Sequence, residues 1–532
     1  MKRFWLVLLS LGLIAAFSTQ AMAVDVKFSG EYFAAGMYLD RVSVNETPYV
    51  KPVLVKSTTP PGLPPWTPYY WSSEDVYPCD ASTAFYYQRL RLTTTFIVHP
   101  GLYFITRADV MERAWAAPRY RTTTLNAALN DTVNAALDDR SAGTRAENEN
   151  IVFDLAYVQY VSPIGIFLAG YQIDNVWGTT FGDTSMPTPK IGYILPLPWV
   201  KGLLFGLQMG KNPNGERSWG TWNGSFKDGS VDRDDNFYTA FVKYGAKGID
   251  AGLLFKYIRN ATNRNAYAGF AALAGYGALY TTVNGYPDPS VLAWGGVKAQ
   301  QFVVTPYVKA QVGPVALQGQ VYYLTGKVSY EGVGYALPVP EWGGEAAPGP
   351  KEDATMDMWS VYLDATADFG IAYVGGSFAW MSGDKQETGD KVEGGLTGGL
   401  DWNPCLIMFN SERNYWAGPI AGYEGKANGA PMSNAYFVQL RGGVKPIDKL
   451  DIMASLSWAK MHRADARSLG VQEGRDYGIE VDVTGTYKIT NNLSYMLGGG
   501  YWFVGKYYKG SGYPGYEVKN DFLVINKLTL TF

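Results

Sequence analysis

Segments of about ten residues that alternate apolar and polar side chains recur along almost the whole chain, and this pattern constrains the fold most. In residues 358–368, for example, Trp359, Val361 and Leu363 are separated by polar residues. Strand side chains point to opposite faces with a period of two, so each segment predicts a strand with one apolar face. Short connections between these segments alternate with long ones along the chain. Their number predicts about 18 strands, with 16 left open.

Other features of the sequence indicate whether these strands form a closed barrel or a soluble sandwich. After the first residues, no apolar run approaches the roughly 20 residues that a membrane-spanning helix needs. Only helices and closed barrels satisfy every backbone group in lipid. A soluble sandwich also alternates, but turns and loops that are short and long in turn are typical of a transmembrane barrel. The predicted fold class is therefore all-β, a transmembrane antiparallel β-barrel with short periplasmic turns and long extracellular loops.

The first residues predict export. Lys2 and Arg3 precede an apolar run over residues 4–17, and Ala21-Met22-Ala23 forms an A-x-A cleavage site. We therefore predict a cleaved secretory signal peptide over residues 1–23 and a single barrel over residues 24–532. One helix, over residues 124–138, is predicted within a long loop because its apolar residues have helical spacing.

The last strand has an apolar face that carries Leu528, Leu530 and Phe532. A terminal Phe suits the aromatic girdle at the membrane interface. This ending resembles that of bacterial outer-membrane β-barrels, whose last strand is read by the outer-membrane assembly machinery. The alternative is an ordinary strand that happens to end in Phe.

A hairpin in the first half resembles that of the general bacterial porins. Residues 156–183 read AYVQYVSPIGIFLAGYQIDNVWGTTFGD, a strand, a short turn and a fifth strand that leads into a loop. In porins the loop after the fifth strand folds into the pore, and its Phe-Gly-Gly-Asp-like segment is similar to Phe181-Gly182-Asp183. The resemblance implies an infolded loop near residues 174–189. An ordinary external loop is the alternative.

The same resemblance implies a function and its residues. It implies a water-filled channel for passive diffusion of small hydrophilic solutes and ions, in the outer membrane of a Gram-negative bacterium. It also implies a homotrimer that contacts outer-membrane lipid and lipopolysaccharide. The pore constriction would set acidic residues of the infolded loop opposite a basic wall on the early strands. The loop residues are Asp174 and Asp183, and the wall residues are Arg89, Arg91 and Arg107.

Other functions fit the composition poorly. The chain has only two histidines, His99 and His462, placed in a short turn and at a strand end, which disfavours an enzyme and a histidine-based metal site. No Cys-x-x-Cys-His motif occurs, so we expect no haem and no other cofactor or metal. No basic stripe suggests nucleic acid. Cys79 and Cys405 are predicted to pair, because both fall in presumed extracellular loops of an oxidising compartment.

Two alternative functions remain open at this point. The barrel could sheathe a partner, such as a separate exported cytochrome. It could also be a substrate-specific channel of the sugar-porin type, which has 18 strands and lines its path with aromatic side chains.

Overall fold

The computed structural model describes a part of the chain that includes nearly every predicted strand. The described residues are 24–40, 49–56, 69–77, 82–115, 151–212, 234–263, 282–283, 286–287, 296–331, 353–385, 391–417, 431–463, 474–508 and 520–532. The predicted signal peptide and the predicted helix over residues 124–138 lie outside them. Among the described residues, no helix is long and apolar enough to cross a membrane.

One sheet of 19 strands contains one strand of only two residues, Lys391–Val392, which leaves 18 long strands. We number the long strands in chain order. They are β1 Asp25–Leu39, β2 Thr83–His99, β3 Leu102–Ala114, β4 Ile151–Ser162, β5 Gly165–Asp174, β6 Met186–Pro196, β7 Leu203–Asn212, β8 Asp235–Ala246, β9 Ile249–Asn263, β10 Gly296–Val312, β11 Val315–Glu331, β12 Ala354–Asp368, β13 Ala372–Met381, β14 Ala435–Ile447, β15 Leu450–Met461, β16 Asp476–Lys488, β17 Leu493–Val504 and β18 Asp521–Thr531.

The sheet closes on itself. Each long strand pairs antiparallel with the next, and β18 pairs antiparallel with β1, so that Leu523 lies opposite Leu39 and Thr531 opposite Glu31. The last residue extends this ladder: the Phe532 N–H donates to the Gly30 carbonyl at 3.0 Å, and the Gly30 N–H donates back at 2.8 Å. Closure leaves no open strand edge. The predicted antiparallel barrel of 18 strands is confirmed, and the alternative of 16 strands is wrong.

The turns at one end of the barrel are tight. Residues 163 and 164 alone separate β4 from β5, as the sequence predicted for the hairpin before the fifth strand. The turn between β2 and β3 uses Gly101, whose φ of 87° lies in the left-handed region that glycine adopts without a Cβ clash. The opposite end of the barrel carries the long connections.

The outward face of the barrel is apolar. Phe153, Val374 and Leu440 are 68, 57 and 64% exposed, as expected of side chains that face lipid rather than a protein core. The polar residues between them point into the lumen: on β12, Asp364 faces inward while its neighbour Leu363 is exposed. A charge on the lipid face would cost about 2–4 kcal/mol at the membrane midplane, which explains this alternation.

Two expectations about the elements need correction: residues 39–84, which are rich in proline and aromatic residues and lack a strand-like pattern, predict a loop, and residues 190–197 predict a strand. Residues 39–84 were predicted to form a loop without strands, but Tyr49–Lys56 and Tyr69–Tyr77 pair as an antiparallel hairpin. The prediction gave too much weight to the prolines between these segments and too little to their β-branched and aromatic residues. The strand predicted over residues 190–197 begins earlier, at Met186, and tolerates three prolines.

Candidate functional site in the barrel lumen

Residues 175–185, which we call the inner loop, connect β5 to β6 through the lumen. The chain turns inward with left-handed residues, since Asn175, Gly178 and Gly182 have φ angles of 55°, 73° and 86°. The Trp177 indole N–H donates to the Thr305 carbonyl of β10 at 2.8 Å. This first contact ties the loop to the wall on the far side of the barrel from β2 and β3.

A glutamine on β11 fixes the centre of the inner loop. Gln320 Oε1 accepts from the Thr179 N–H at 2.7 Å and from its hydroxyl at 2.6 Å, while Gln320 Nε2 donates to the Trp177 carbonyl at 2.8 Å. Phe181 is fully buried and stacks on Tyr362 of β12 with ring centroids 4.9 Å apart. The loop is therefore held by β10, β11 and β12.

Asp183 lies on this loop but does not line an open surface. It is only 5% exposed, and its Oδ1 accepts from the Trp177 N–H at 2.8 Å. Burial raises the pKa of Asp183 to about 7; the Trp177 bond and Lys309 oppose this effect, and Asp401 adds to it. Its charged neighbours are Asp401 and Lys309. The structure does not bring Asp183 to the predicted basic wall, because the loop is anchored to the opposite strands.

Asp174, the other predicted loop residue, is the last residue of β5 and belongs to the wall. Its carboxylate accepts from Lys190 Nζ at 2.9 Å and from Lys256 Nζ at 2.7 Å. Lys190 also donates to Gln208 Oε1 at 3.2 Å. These side chains come from β5, β6, β7 and β9, so they form a lateral network across neighbouring strands.

The three predicted arginines all face the lumen, and each is paired. Arg91 binds Asp109 through two bonds of 2.7 Å, and Arg107 binds Asp154 in the same two-pronged way. Arg89 lies 3.6 Å from Glu112 and 3.8 Å from Glu31. We call Arg89, Arg91 and Arg107 the arginine wall. Strand alternation predicts these inward cations but not their carboxylate partners on adjacent strands.

A second lumen segment was not predicted. Residues 393–417, which we call the plug, belong to the connection between β13 and β14 that the sequence analysis placed outside the barrel. They end in a short helix, α1 (Ser411–Ala417), whose first turn is capped by the Asn410 side chain accepting from the Arg413 N–H at 2.7 Å. Trp416 of α1 is 2% exposed and stacks on Tyr87 of β2 with centroids 4.4 Å apart. The plug therefore lies inside the barrel.

Polar side chains of the wall hold the plug backbone. Glu480 of β16 accepts from the N–H groups of Ile407 and Met408, both at 2.6 Å. Gln439 of β14 donates to the Pro404 carbonyl at 2.7 Å. Since Ile407 and Met408 are fully buried, these bonds satisfy backbone groups that water cannot reach.

The inner loop and the plug join in the middle of the lumen. The Gly182 N–H donates to the Gly398 carbonyl at 2.7 Å, and the Asp401 N–H donates to the Asp183 carbonyl at 3.1 Å. Asp401 in turn accepts from the Ser185 N–H and hydroxyl at 2.9 and 2.7 Å. We call the joined segments the partition. It runs from β10–β12 on one side to β16, β1 and β2 on the other.

The predicted disulfide is not formed in this structure. Cys405 lies in the plug, is 4% exposed and carries a free thiol. Burial raises the pKa of this thiol well above its usual value, and the nearby Glu480 and Asp482 act in the same direction. Cys79 lies outside the described residues. The prediction rested on Cys405 being in an extracellular loop, and its connection folds inward instead.

The predicted assembly residues lie on the outer face of β18. Leu530 is 37% and Phe532 is 53% exposed, and Leu528 pairs with Ala34 of β1. Their role as an assembly signal stays a prediction.

Comparisons with known proteins give distant likenesses. No family model and no curated protein matches the chain. Among solved structures, the anion-selective porin of Comamonas acidovorans is 12% identical, with a TM-score of 0.39 over 96% of this chain and 100% of that one. OccK5 (OpdH) of Pseudomonas aeruginosa is 13% identical, with a TM-score of 0.42 over 96% and 98%. Salmonella typhi OmpF, in complex with daunomycin, is 10% identical, with a TM-score of 0.36 over 95% and 97%.

Proposed function

We propose that the chain is an outer-membrane porin, a water-filled channel for passive diffusion of small hydrophilic solutes and ions. The observation that carries this proposal is the charged, partly exposed lumen inside a closed barrel with an apolar outer face. A barrel of this width has an interior too large for wall side chains to fill. The apolar outer face suits lipid, which supports an outer-membrane location with lipid and lipopolysaccharide as neighbours.

The proposed path runs between the arginine wall and the partition. On the wall side, the Arg91 side chain is 31% exposed and that of Glu31 is 43% exposed, although both lie in ion pairs. On the partition side, Asp401 and Leu400 are exposed. Solutes on this path would pass between a wall rich in ion pairs and a partition edge that carries an acidic group. Such an arrangement orients dipolar solutes and selects among ions.

The partition makes this path narrower than the barrel itself. Its core is packed with buried aromatic and aliphatic side chains, and its backbone is bonded to both walls. Close-packed protein interiors have low compressibility, so the partition resists deformation. We therefore propose a constricted channel that sieves solutes by size, rather than an open pore of the full barrel width.

The two alternative functions are less well supported. A partner protein sheathed inside the barrel would have to displace the plug and its buried core. A sugar slide needs exposed aromatic rings along the path, whereas Trp402 and Trp416 are 5% and 2% exposed. The homotrimer rests only on the family resemblance and can be checked by the native mass of the complex in detergent.

Planar-bilayer recording tests the proposal. The purified chain should insert and give stepwise, ohmic conductance increases, and the same sample unfolded by heat should give none. Protein that retains a folded barrel, shown by its heat-modifiable gel mobility, but never conducts would contradict the proposal.

A further inference from the structure

The plug meets β16 at a cluster of potential metal ligands. Cys405 of the plug and Glu480 and Asp482 of β16 bring a sulfur atom and two carboxylate oxygens within 4.8 Å of one another. All three residues are buried, with exposures of 4, 0 and 3%. The channel proposed above uses none of them, because they are buried where the plug contacts β16.

Two features of this cluster point to a ligand. Outside the cluster, Asp482 Oδ1 meets no N–H or O–H donor among the described residues, although it is buried. No lysine or arginine pairs with either carboxylate within the described part of the chain. Burying two acidic groups without a cation is costly, so the cluster holds either a shared proton or a positive ion.

A glycine lets the β17 backbone pack closely against the carboxylates. Gly500 of β17 faces the cluster, and a Cβ atom there would lie 2.5 Å from Asp482 Oδ1 and 3.4 Å from Glu480 Oε1. Any side chain at this position would therefore crowd the carboxylates.

We propose that Cys405, Glu480 and Asp482 form a binding site for a divalent transition-metal ion of the zinc class. Zinc accepts a thiolate at about 2.3 Å together with carboxylate oxygens at about 2.0–2.2 Å in tetrahedral geometry. Such ligands lie roughly 3.5 Å apart, so the present atoms, which lie within 4.8 Å of one another, would move together by about 1 Å on binding. The sulfur ligand disfavours magnesium and calcium, which bind oxygen.

Binding would leave the net charge of the cluster unchanged, because a divalent ion enters and two protons leave. The metal ion replaces the thiol proton of Cys405 and the proton shared by the two carboxyl groups, and both protons pass to solvent. No electron transfer is involved. Because Cys405 belongs to the plug and the carboxylates belong to the wall, the ion would fasten the plug to β16.

Metal content of the purified full-length protein tests the site. After equilibration with micromolar Zn²⁺ and removal of free metal, the native sequence should retain one zinc per chain by elemental analysis. Cys405→Ser and Asp482→Asn should each bind zinc at least about 100-fold more weakly, since even the loss of supporting groups costs about 10–100-fold. Cys79→Ser is the matched control, because it removes the other thiol, and it should retain the metal.

A second measurement on the unmodified protein guards against a variant that fails to fold. Addition of Co²⁺ should produce the near-ultraviolet charge-transfer absorption of a cobalt–thiolate bond, and Zn²⁺ should abolish it. Absence of that band, or zinc retention unchanged by Cys405→Ser, would overturn the metal site. The two carboxyl groups would then share a proton and bind no metal ion. Neither result depends on whether the barrel conducts ions.

Discussion

Two neighbouring regions of the lumen wall use their inward positions in opposite ways. On β2, β3 and β4, inward side chains form ion pairs such as Arg91–Asp109 and Arg107–Asp154, which remain partly exposed. On β1, the inward side chains Phe33 and Met37 are 1% and 4% exposed, because the plug covers this region. Both sets of strands have apolar outer faces. What differs is whether the lumen next to them is wet or filled with protein.

This difference shows what an inward apolar residue means in a barrel. A strand that borders water needs polar inward residues, whereas a strand that is apolar on both faces needs something packed inside. β1 changes from the first kind to the second along its own length, between Glu31 and Phe33. The composition of the inner face therefore maps where the lumen is filled.

Removal of the plug should change single-channel conductance and thermal stability more than any other change described below. Replacing residues 394–432 with a glycine-serine linker of about ten residues should raise single-channel conductance several-fold, because the filled side of the lumen opens. The barrel should also unfold at a lower temperature, since Phe33 and Met37 lose their cover. Shortening residues 335–350, in a different long connection, is the control. Unchanged conductance in a folded barrel would mean that the plug does not limit the path.

The sequence predicted the strands of both regions. It predicted the charged inward residues of the arginine wall but not the plug that covers β1. Alternation and the rhythm of connections were sufficient for the closed barrel and for the fifth-strand hairpin, since both are local signals. The plug was missed because its anchors are distant in sequence: Glu480 bonds to Ile407 and Met408 across more than 70 residues. A signal did exist in Phe33, Ala35 and Met37, whose inward apolar run breaks the polar face of β1.

The predicted site residues illustrate the same limit. The alternation of side chains correctly predicted that Arg89, Arg91 and Arg107 face the lumen. The direction of a side chain depends only on its position within its own strand. Which acid each arginine meets depends on strand register, and β-bulges in β2, β3 and β4 shift that register. The anchoring of the inner loop to Gln320 likewise depends on a contact across 141 residues, which no local pattern reveals.

Truncating the aromatic centre of the partition should loosen it. Phe181→Ala removes a fully buried ring, and such changes cost about 3–5 kcal/mol. Amide hydrogen exchange of the inner loop should become about 10²- to 10³-fold faster, because its docking is weakened. The control is Phe153→Ala, whose ring is 68% exposed on the outer face. Equal protection in the two variants would contradict a docked inner loop.

The stability of the partition should fall as pH rises from about 4 to 7. Burial, reinforced by Asp401, raises the pKa of Asp183 to about 7, while the Trp177 bond and Lys309 oppose it. In this window the folded state binds more protons than the unfolded state, so stability is fully present below the unfolded pKa and is lost as pH rises through 7. The effect reaches roughly 4 kcal/mol at most.

Thermal unfolding in detergent at pH 5 and pH 8 checks this prediction. Asp183→Asn should reduce the difference between the two pH values, because the amide oxygen still accepts from the Trp177 N–H without carrying a charge. Asp368→Asn changes a carboxylate on the exposed end of β12 and serves as the control. The same pH difference in Asp183→Asn as in the native sequence would assign the effect to another group.

The smallest expected effect concerns ion selectivity on the wet side. Arg91→Gln leaves Asp109 unbalanced on a partly exposed wall, so the cation-to-anion permeability ratio should rise, and neutralising Arg89 as well should raise it further. Arg91→Gln combined with Asp109→Asn should return the ratio close to the native value. Asp183→Asn should leave it unchanged, because Asp183 is buried. Reversal potentials in a salt gradient measure all four, and a shift caused by Asp183→Asn alone would place that residue on the path.

Thiol accessibility at two inward positions most directly tests whether the lumen is open at the arginine wall and filled where the plug covers β1. Thr93→Cys on β2 and Ala35→Cys on β1, each in a chain with Cys79→Ser and Cys405→Ser, place one thiol on the wet side and one behind the plug. A membrane-impermeant thiol reagent should modify the folded protein rapidly at position 93 and leave position 35 unmodified until the barrel is unfolded. Rapid modification of both positions, or of position 35 alone, would contradict a lumen that is open along the arginine wall and filled where the plug covers β1.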